Sequence, residues 1–332
     1  MGYLVRGMYV IWGDENYINK MLDSGINTLL FSYQNHLGND KNPYYQSATR
    51  TVELSWNITK PCVKLLNPHW FRSWDKVPDN SFAFMNKRGD ILNSTPCIAN
   101  KTYIQFYMNH LCETAQRAGM QGIIIDFEEY DKFVIGSGVI DIFTGKRPCY
   151  CDSCKSQGIA GDYSKQFKIF AKNSLEVLSS FDVTYGQMPY KKDLHSIFPS
   201  GKNWWYSEDS YGGIEPFEVW RDRMFNITNR AKYAAGIWAE RFSAENLLEA
   251  ILDAGSCPFV DGYWIFNAAR FSKHSPLLVN MTKDEACQFI HSTLIDIEMK
   301  TFFDRLSEIN KKIDKNRDSF WFKIMSALLP IR

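Results

Sequence analysis

The chain predicts a single (β/α)₈ barrel (TIM barrel) of the α/β class, and three observations carry that expectation. Strand-like and helix-like segments alternate through all 332 residues, about eight times over. One apolar run, GIIIDFEEYD at 122–131, ends in a cluster of acids, as a buried barrel strand does when it delivers carboxylates at its C-terminal end. The first turn, IWGDEN, is not the Gly-rich phosphate loop that an open doubly wound sheet carries after its first strand.

The units follow in order. The first strand is the apolar, β-branched run 4–11, with a helix at 15–24 that stops at Gly25. The second strand is 27–33, with its helix near 48–57, and the third is 62–66. A long connection rich in Asn, Pro and Asp covers 67–99. Ile104, Tyr107, Met108 and Leu111 space a helix over 101–117 that Gly119 ends. Strand four is 122–127, and its run of three Ile suits a strand buried on both faces. An amphipathic helix at 163–180 precedes strand five at 183–188. Strand six falls near 204–207 and its helix at 217–229. Strand seven is 233–239, and its helix, 244–254, is capped by Ser243 and stopped at Gly255. Strand eight is 260–266. The pattern over 284–315 is one long helix or two, so the segment 283–332 is expected to pack on the barrel as C-terminal helices of one domain spanning 1–332.

Composition excludes some functions. A net charge of +1 leaves no basic excess to neutralise phosphates, so no nucleic acid partner is expected. The basic stretch 311–317 is interleaved with acids and reads as a solvated helix face. No segment is long and apolar enough to span a membrane, and no leader with a small-residue cleavage site is visible. Five sequons, at Asn57, Asn93, Asn100, Asn226 and Asn280, are what chance gives an Asn-rich chain. Aromatics reach 15%, which serves either core packing or the stacking faces of a sugar cleft.

Asp126 and Glu128 are two apart on strand four, so both side chains fall on one face. Close carboxylates push their pKa values apart, which leaves one protonated as a general acid beside an ionised neighbour. Glu129 takes the same role if the strand end bends. The rival reading is a solvated acidic loop paired with Lys132 and Arg147. A second carboxylate is expected from another strand end: Glu240 after GIWA first, Glu208 and Asp209 in reserve.

Cys149, Cys151 and Cys154 form C-x-C-x-x-C. Disulfides between such near neighbours are strained and leave one thiol over, whereas tetrahedral zinc accepts three thiolates and a fourth ligand. Cys97 is the first choice for that ligand, ahead of Cys112 and Cys62; Cys257 and Cys287 read as plain thiols. Such a closed site is structural, a staple of the loop after strand four against the loop after strand three. No catalytic cofactor is expected. Persistent thiolates point to a reducing compartment, the cytoplasm.

Strand-end residues suited to hydroxyls and sugar rings are His69 and Trp70 after strand three, and Gln187 and Tyr190 after strand five. Trp204, Trp205 and Tyr206 at strand six, with Trp12, Trp238, Trp264 and Asn267, complete the set. His69, Trp70, Gln187, Tyr206, Trp238 and Trp264 are the substrate-binding candidates.

The cysteine pattern resembles that of the β-galactosidase family with a zinc cluster beside its active site. There a single Cys precedes a helix, an acid ends strand four and a CYCxxC run follows; here the parallels are TPC at Cys97, the acids at 126–129 and CYCDSC at 149–154. The resemblance implies an acid/base at Glu128 or Glu129 and a nucleophile at Glu240. The departure is Phe127–Glu128 where that family has Asn–Glu, and the chain is too short for its extra domains. Strand four also resembles the DxxDxDxE motif of chitinase-type barrels, with Gln121, Ile124, Asp126 and Glu128 in its places, so only the last two match. That resemblance implies Glu128 as acid, Asp126 as orienter of a substrate acetamide, and no need for Glu240. The function expected is glycoside hydrolysis on a carbohydrate substrate. Its rivals are an inactive glycan- or protein-binding barrel and a barrel hydrolase acting on an amide or ester.

Overall fold

A computed structural model describes residues 4–10, 15–34, 53, 55–69, 79–124, 148–179, 184–185, 204–207, 232–239, 244–258, 260–266 and 296–327. Its elements, in chain order, are β1 (Val5–Val10), α1 (Glu15–Asp23), β2 (Thr28–Gln34), β3 (Val63–His69), β4 (Ala83–Met85), β5 (Ile91–Pro96) and α2 (Lys101–Arg117). There follow β6 (Gly122–Ile123), α3 (Asp152–Ser156), α4 (Tyr163–Ser179), β7 (Thr184–Tyr185), β8 (Trp204–Ser207), β9 (Lys232–Trp238), α5 (Ala244–Ser256), β10 (Gly262–Phe266), α6 (Asp296–Asp318) and α7 (Phe320–Ala327).

Eight of the strands form one sheet in the order β7-β6-β3-β2-β1-β10-β9-β8, and every pair in it is parallel. These are the eight strands expected from sequence, in spatial order 5-4-3-2-1-8-7-6. Each strand pairs with the next in sequence except the fifth with the sixth, and the first strand pairs with the last. Cα atoms of the two end strands, β7 and β8, approach within 8 Å, with no ladder between them among the described residues.

The sheet has two apolar faces, as a parallel sheet requires. Met8, Val10, Leu29, Phe31, Leu66, Ile123, Ile237 and Ile265 join the buried faces of the helices in one cluster. The alternate residues, Val5, Tyr9, Leu30, Leu65, Ile124, Ala234 and Trp264, form a second cluster of their own, each at most 2% exposed. Strand after strand, successive residues divide between the two clusters, which is the period-2 alternation of the pleat.

Helix boundaries follow local chemistry. Asn100 caps α2 by accepting from the Tyr103 N–H, and α1 and α2 end where Gly25 and Gly119 take φ of +93° and +63°. Gly255 does not stop α5, which runs on to Ser256. The residue serves close approach instead: a Cβ there would lie 2.4 Å from Ile313 of α6. α6 packs on α5 and α1. Asn310, 3% exposed, accepts from the Tyr263 hydroxyl at 2.7 Å and donates to the Ser24 carbonyl at 2.8 Å. Arg317 donates to the carbonyls of Gly255 at the end of α5 and of Cys257 and Val260 beyond it.

The long connection expected over 67–99 holds an antiparallel hairpin, β4 and β5, turned over Asn86 and Asp90. β3 runs three residues past its expected end, through His69. Of the region near 48–57 the described residues are Glu53, which is helical, and a short 3₁₀ turn, Ser55–Asn57.

Candidate functional site

The four cysteines singled out by spacing meet. Cys97 follows β5 in the tight connection to α2, its N–H donating to the Phe82 carbonyl. The 149–151 segment lies along β4: the Tyr150 N–H donates to the Met85 carbonyl at 2.8 Å, and the Met85 N–H to Cys149 Sγ at 3.4 Å. Cys151 is the N-cap residue of α3 and Cys154 lies within that helix. The four sulfurs lie within 4.8 Å of one another, and all four residues are at most 6% exposed. They sit in an apolar shell that includes Phe84, Ala99 and Ile159, with Met85 and Leu92 packed against it.

This spacing suits a metal. The Cys97–Cys154 sulfur separation is 3.4 Å, well beyond the ~2.05 Å of a disulfide. Four thiolates about 2.3 Å from one tetrahedral ion stand roughly 3.8 Å apart. The backbone N–H of Cys151 also donates to Cys149 Sγ, at 3.4 Å, so one sulfur receives two amide donors. The four thiols act strongly on one another. Contacts with Cys149 and the other two thiols pull Cys151 far below the ordinary thiol value. Cys149 is raised by Cys151 but lowered more by Cys154, Cys97 and the Met85 N–H, and ends below the ordinary value. Cys97 and Cys154 are pushed up by hydrogen bonds to their neighbours and by burial. Four thiols gathered in an apolar pocket are a donor set made for a soft or borderline cation. Four protein ligands would close the shell, which is the mark of a structural centre. Cys112, pushed up to about 12 by burial and Glu113, and Cys62 are not part of the group.

Sequence reasoning missed the residue that holds this segment from behind, Gln166 of α4; a lone buried Gln has no spacing signal.

The other candidates divide. Asp126, Glu128, Glu129, Glu240, Trp70 and Gln187 lie outside the described residues, as do Glu208, Asp209, Trp12, Tyr190 and Asn267. His69 is the last residue of β3, opposite Gln34. Tyr206 pairs with Ala234, and Trp238, the last residue of β9, pairs with Phe266. Trp264 is buried among the second cluster at 2% exposure. Its ring lies 6.3 Å from those of Tyr9 and Phe266, and the Tyr9 and Phe266 rings are 5.0 Å apart. Beside them Asn67 is a buried polar residue that sequence reasoning also passed over: it accepts from the Tyr9 hydroxyl at 2.8 Å and donates to the Ile124 carbonyl at 2.8 Å.

No protein-family model matches the chain, and no curated protein matches it in sequence. Solved structures do match in fold. An α-L-fucosidase isoenzyme 2 from Paenibacillus thiaminolyticus aligns over 96% of this chain and 51% of its own at 9% identity, with a TM-score of 0.51. A GH20 exo-β-N-acetylglucosaminidase from Vibrio harveyi aligns over 93% of this chain and 58% of its own at 10% identity and a TM-score of 0.49. An L-ribulose 3-epimerase aligns over 99% of this chain and 100% of its own at 10% identity and a TM-score of 0.45. The chain therefore spans about half the length of the fucosidase it resembles. At this identity the likeness concerns fold.

Proposed function

We propose that this chain is a glycoside hydrolase built on a closed (β/α)₈ barrel, with its catalytic carboxylates at the C-terminal ends of strands four and seven. The observation that carries the reading is the parity of β6. Ile124 belongs to the cluster on the helix-free face, and in a regular strand Asp126 and Glu128 follow on that same face. A face that buries Tyr9, Leu65 and Trp264 against one another supports a sheet curved upon itself, and in such a barrel a strand continuing this face beyond Ile124 would deliver its side chains to the mouth. The α-L-fucosidase among the fold's neighbours is consistent with this chemistry.

In this reading Glu128, with Glu129 as its near rival, protonates the leaving oxygen. Asp126 tunes that acid or holds a ring substituent. Glu240 serves as nucleophile or base, unless a substrate acetamide takes its place. His69, Trp70, Gln187, Tyr206 and Trp238 bind hydroxyls or stack on rings, whereas Trp264, expected among them from sequence, is 2% exposed and serves as core. Cys97, Cys149, Cys151 and Cys154 hold a structural zinc, which supplies no step of the reaction. It braces the loop after β3 against the segment that follows the acids. Persistent thiolates favour a reducing compartment, the cytoplasm. Among the described residues no helix is long and apolar enough to cross a membrane.

The test is turnover of a broad panel of chromogenic glycosides and polysaccharides by wild type and Glu128→Gln. A general acid of this kind contributes about 10²–10⁴-fold. Loss of that order in a folded variant supports the assignment. Full turnover in the variant moves the acid to Glu129. Sugar binding without turnover, equal in both proteins, replaces the enzyme with a glycan-binding barrel.

A further inference from the structure

β3 runs through a proline at a place where its neighbour needs a donor. The backbone of Leu66 faces β6, because the Ile124 N–H donates to the Leu66 carbonyl at 2.7 Å. The alternate residues face β2, as Val63 does when its N–H donates to the Asn27 carbonyl at 2.8 Å. In a parallel ladder the next bond from β3 runs from the N–H two residues beyond Leu66 to the Ile124 carbonyl. That residue is Pro68, which has no N–H.

The Ile124 carbonyl is nonetheless satisfied. Asn67 Nδ2 donates to it at 2.8 Å, while Asn67 Oδ1 accepts from the Tyr9 hydroxyl at 2.8 Å. A carbonyl only accepts, so the nitrogen of the amide must face Ile124, and its orientation is fixed by chemistry. Asn67 and Tyr9 are 3% and 2% exposed, so water does not compete for either bond.

We infer that Asn67 is a positioning residue: its side-chain amide replaces the N–H missing at Pro68, and it sets where strand four leaves the ladder, two residues before Asp126. The Ile124 carbonyl is thereby held from the face that also bears Tyr9. The consequence for catalysis rests on the glycosidase reading; the clamp itself does not.

The experiment compares wild type, Asn67→Ala, Pro68→Ala and the double variant by hydrogen–deuterium exchange of peptides covering 121–131, with melting temperature as the global control. Asn67→Ala is expected to speed local exchange about tenfold or more, with little change in peptides from β9 and α5. The double variant regains a backbone N–H at 68 and is expected to recover much of the protection. Unchanged exchange in Asn67→Ala, or a double variant no better protected than the single, overturns the clamp. Where wild type turns over a glycoside, kcat is expected to fall in Asn67→Ala with KM retained, and to recover in the double variant. An unchanged kcat overturns the positioning role. A wild type that cleaves nothing removes the glycosidase reading and leaves the exchange result to decide the clamp.

Discussion

Gln166 and Cys149 share two hydrogen bonds through one side chain: Gln166 Oε1 accepts from the Cys149 N–H at 2.8 Å, and Gln166 Nε2 donates to the Cys149 carbonyl at 2.8 Å. The same nitrogen donates to the Ile159 carbonyl at 2.9 Å. One amide on α4 thus fixes both ends of the turn around α3, and the residue is 1% exposed. Gln166→Leu keeps the bulk and leaves three buried backbone groups without that partner. Two of the three keep another donor, the Gly161 N–H on the Cys149 carbonyl and the Asp162 N–H on the Ile159 carbonyl, so the Cys149 N–H alone is left unsatisfied. Such a group costs about 1–3 kcal/mol, which is the loss expected in urea denaturation, together with poorer metal retention. Wild-type stability in this variant would mean that water or another donor replaces the amide.

The purified protein is expected to hold one zinc ion per chain by elemental analysis. Removing it with a strong chelator should lower the melting temperature by about 10 °C or more, because the binding free energy of such a centre is folding free energy. Cys97→Ser should reproduce much of that loss, whereas Cys62→Ser, outside the cluster, should leave the zinc in place. A metal-free protein with unchanged melting would reduce the four thiols to core packing.

His110, half-buried on α2, gives stability a pH dependence. Burial of the imidazolium and repulsion from Arg117 hold its pKa below the ordinary 6.5, against a smaller pull from Glu113. Its Nε2 is buried with no hydrogen-bond partner among the described residues. Below pH 6.5 the unfolded chain therefore takes up the proton more readily than the folded one. Its contribution is complete above that value and is lost as pH falls toward the folded pKa. Urea midpoints measured between about pH 7.5 and about pH 5.5 should fall in wild type and fall less in His110→Gln. Parallel curves for the two proteins would clear His110 of the effect.

Gly262 opens β10 against β1. A Cβ there would lie 2.0 Å from the Val5 carbonyl oxygen, at a φ of +152°. Gly262→Ala must separate the first and last strands of the sheet or distort both. It should cost about 3 kcal/mol or more, read as a lower melting temperature or loss of soluble protein. A variant that melts with wild type would show that the β1–β10 ladder can part at this point without loss.

The sheet was legible because β1, β2, β9 and β10 are buried on both faces, so each is an apolar run set off by polar connections. The helices were legible from spacing and from Gly25 and Gly119. The hairpin β4–β5 was not: Ile91 is half exposed and the strand it opens, ILNSTP, has no alternation to read. Gly255 looked like a stop because a glycine near a helix end ordinarily is one; only the approach of Ile313 explains it. In the site, three cysteines within six residues announced themselves, and Cys97 was chosen correctly as the sulfur they meet. Asn67 and Gln166 were silent, since a polar residue that serves backbone groups leaves no periodic trace. The carboxylates at 126–129 and 240 remain the sequence's own argument, supported by the parity of Ile124.

The cysteine cluster also bears on the order in which the chain is made. Cys97 leaves the ribosome well before 149–154, and 57 positions separate it from Cys154. A closure of this length costs only about 0.6 kcal/mol more than one half as long. An ion captured as Cys154 emerges would tie the chain into a ring that contains α2, β6 and all four acids of the strand-four segment. The part of the chain assigned to chemistry would then be tethered at both ends while the last four strands of the sheet were still being synthesised.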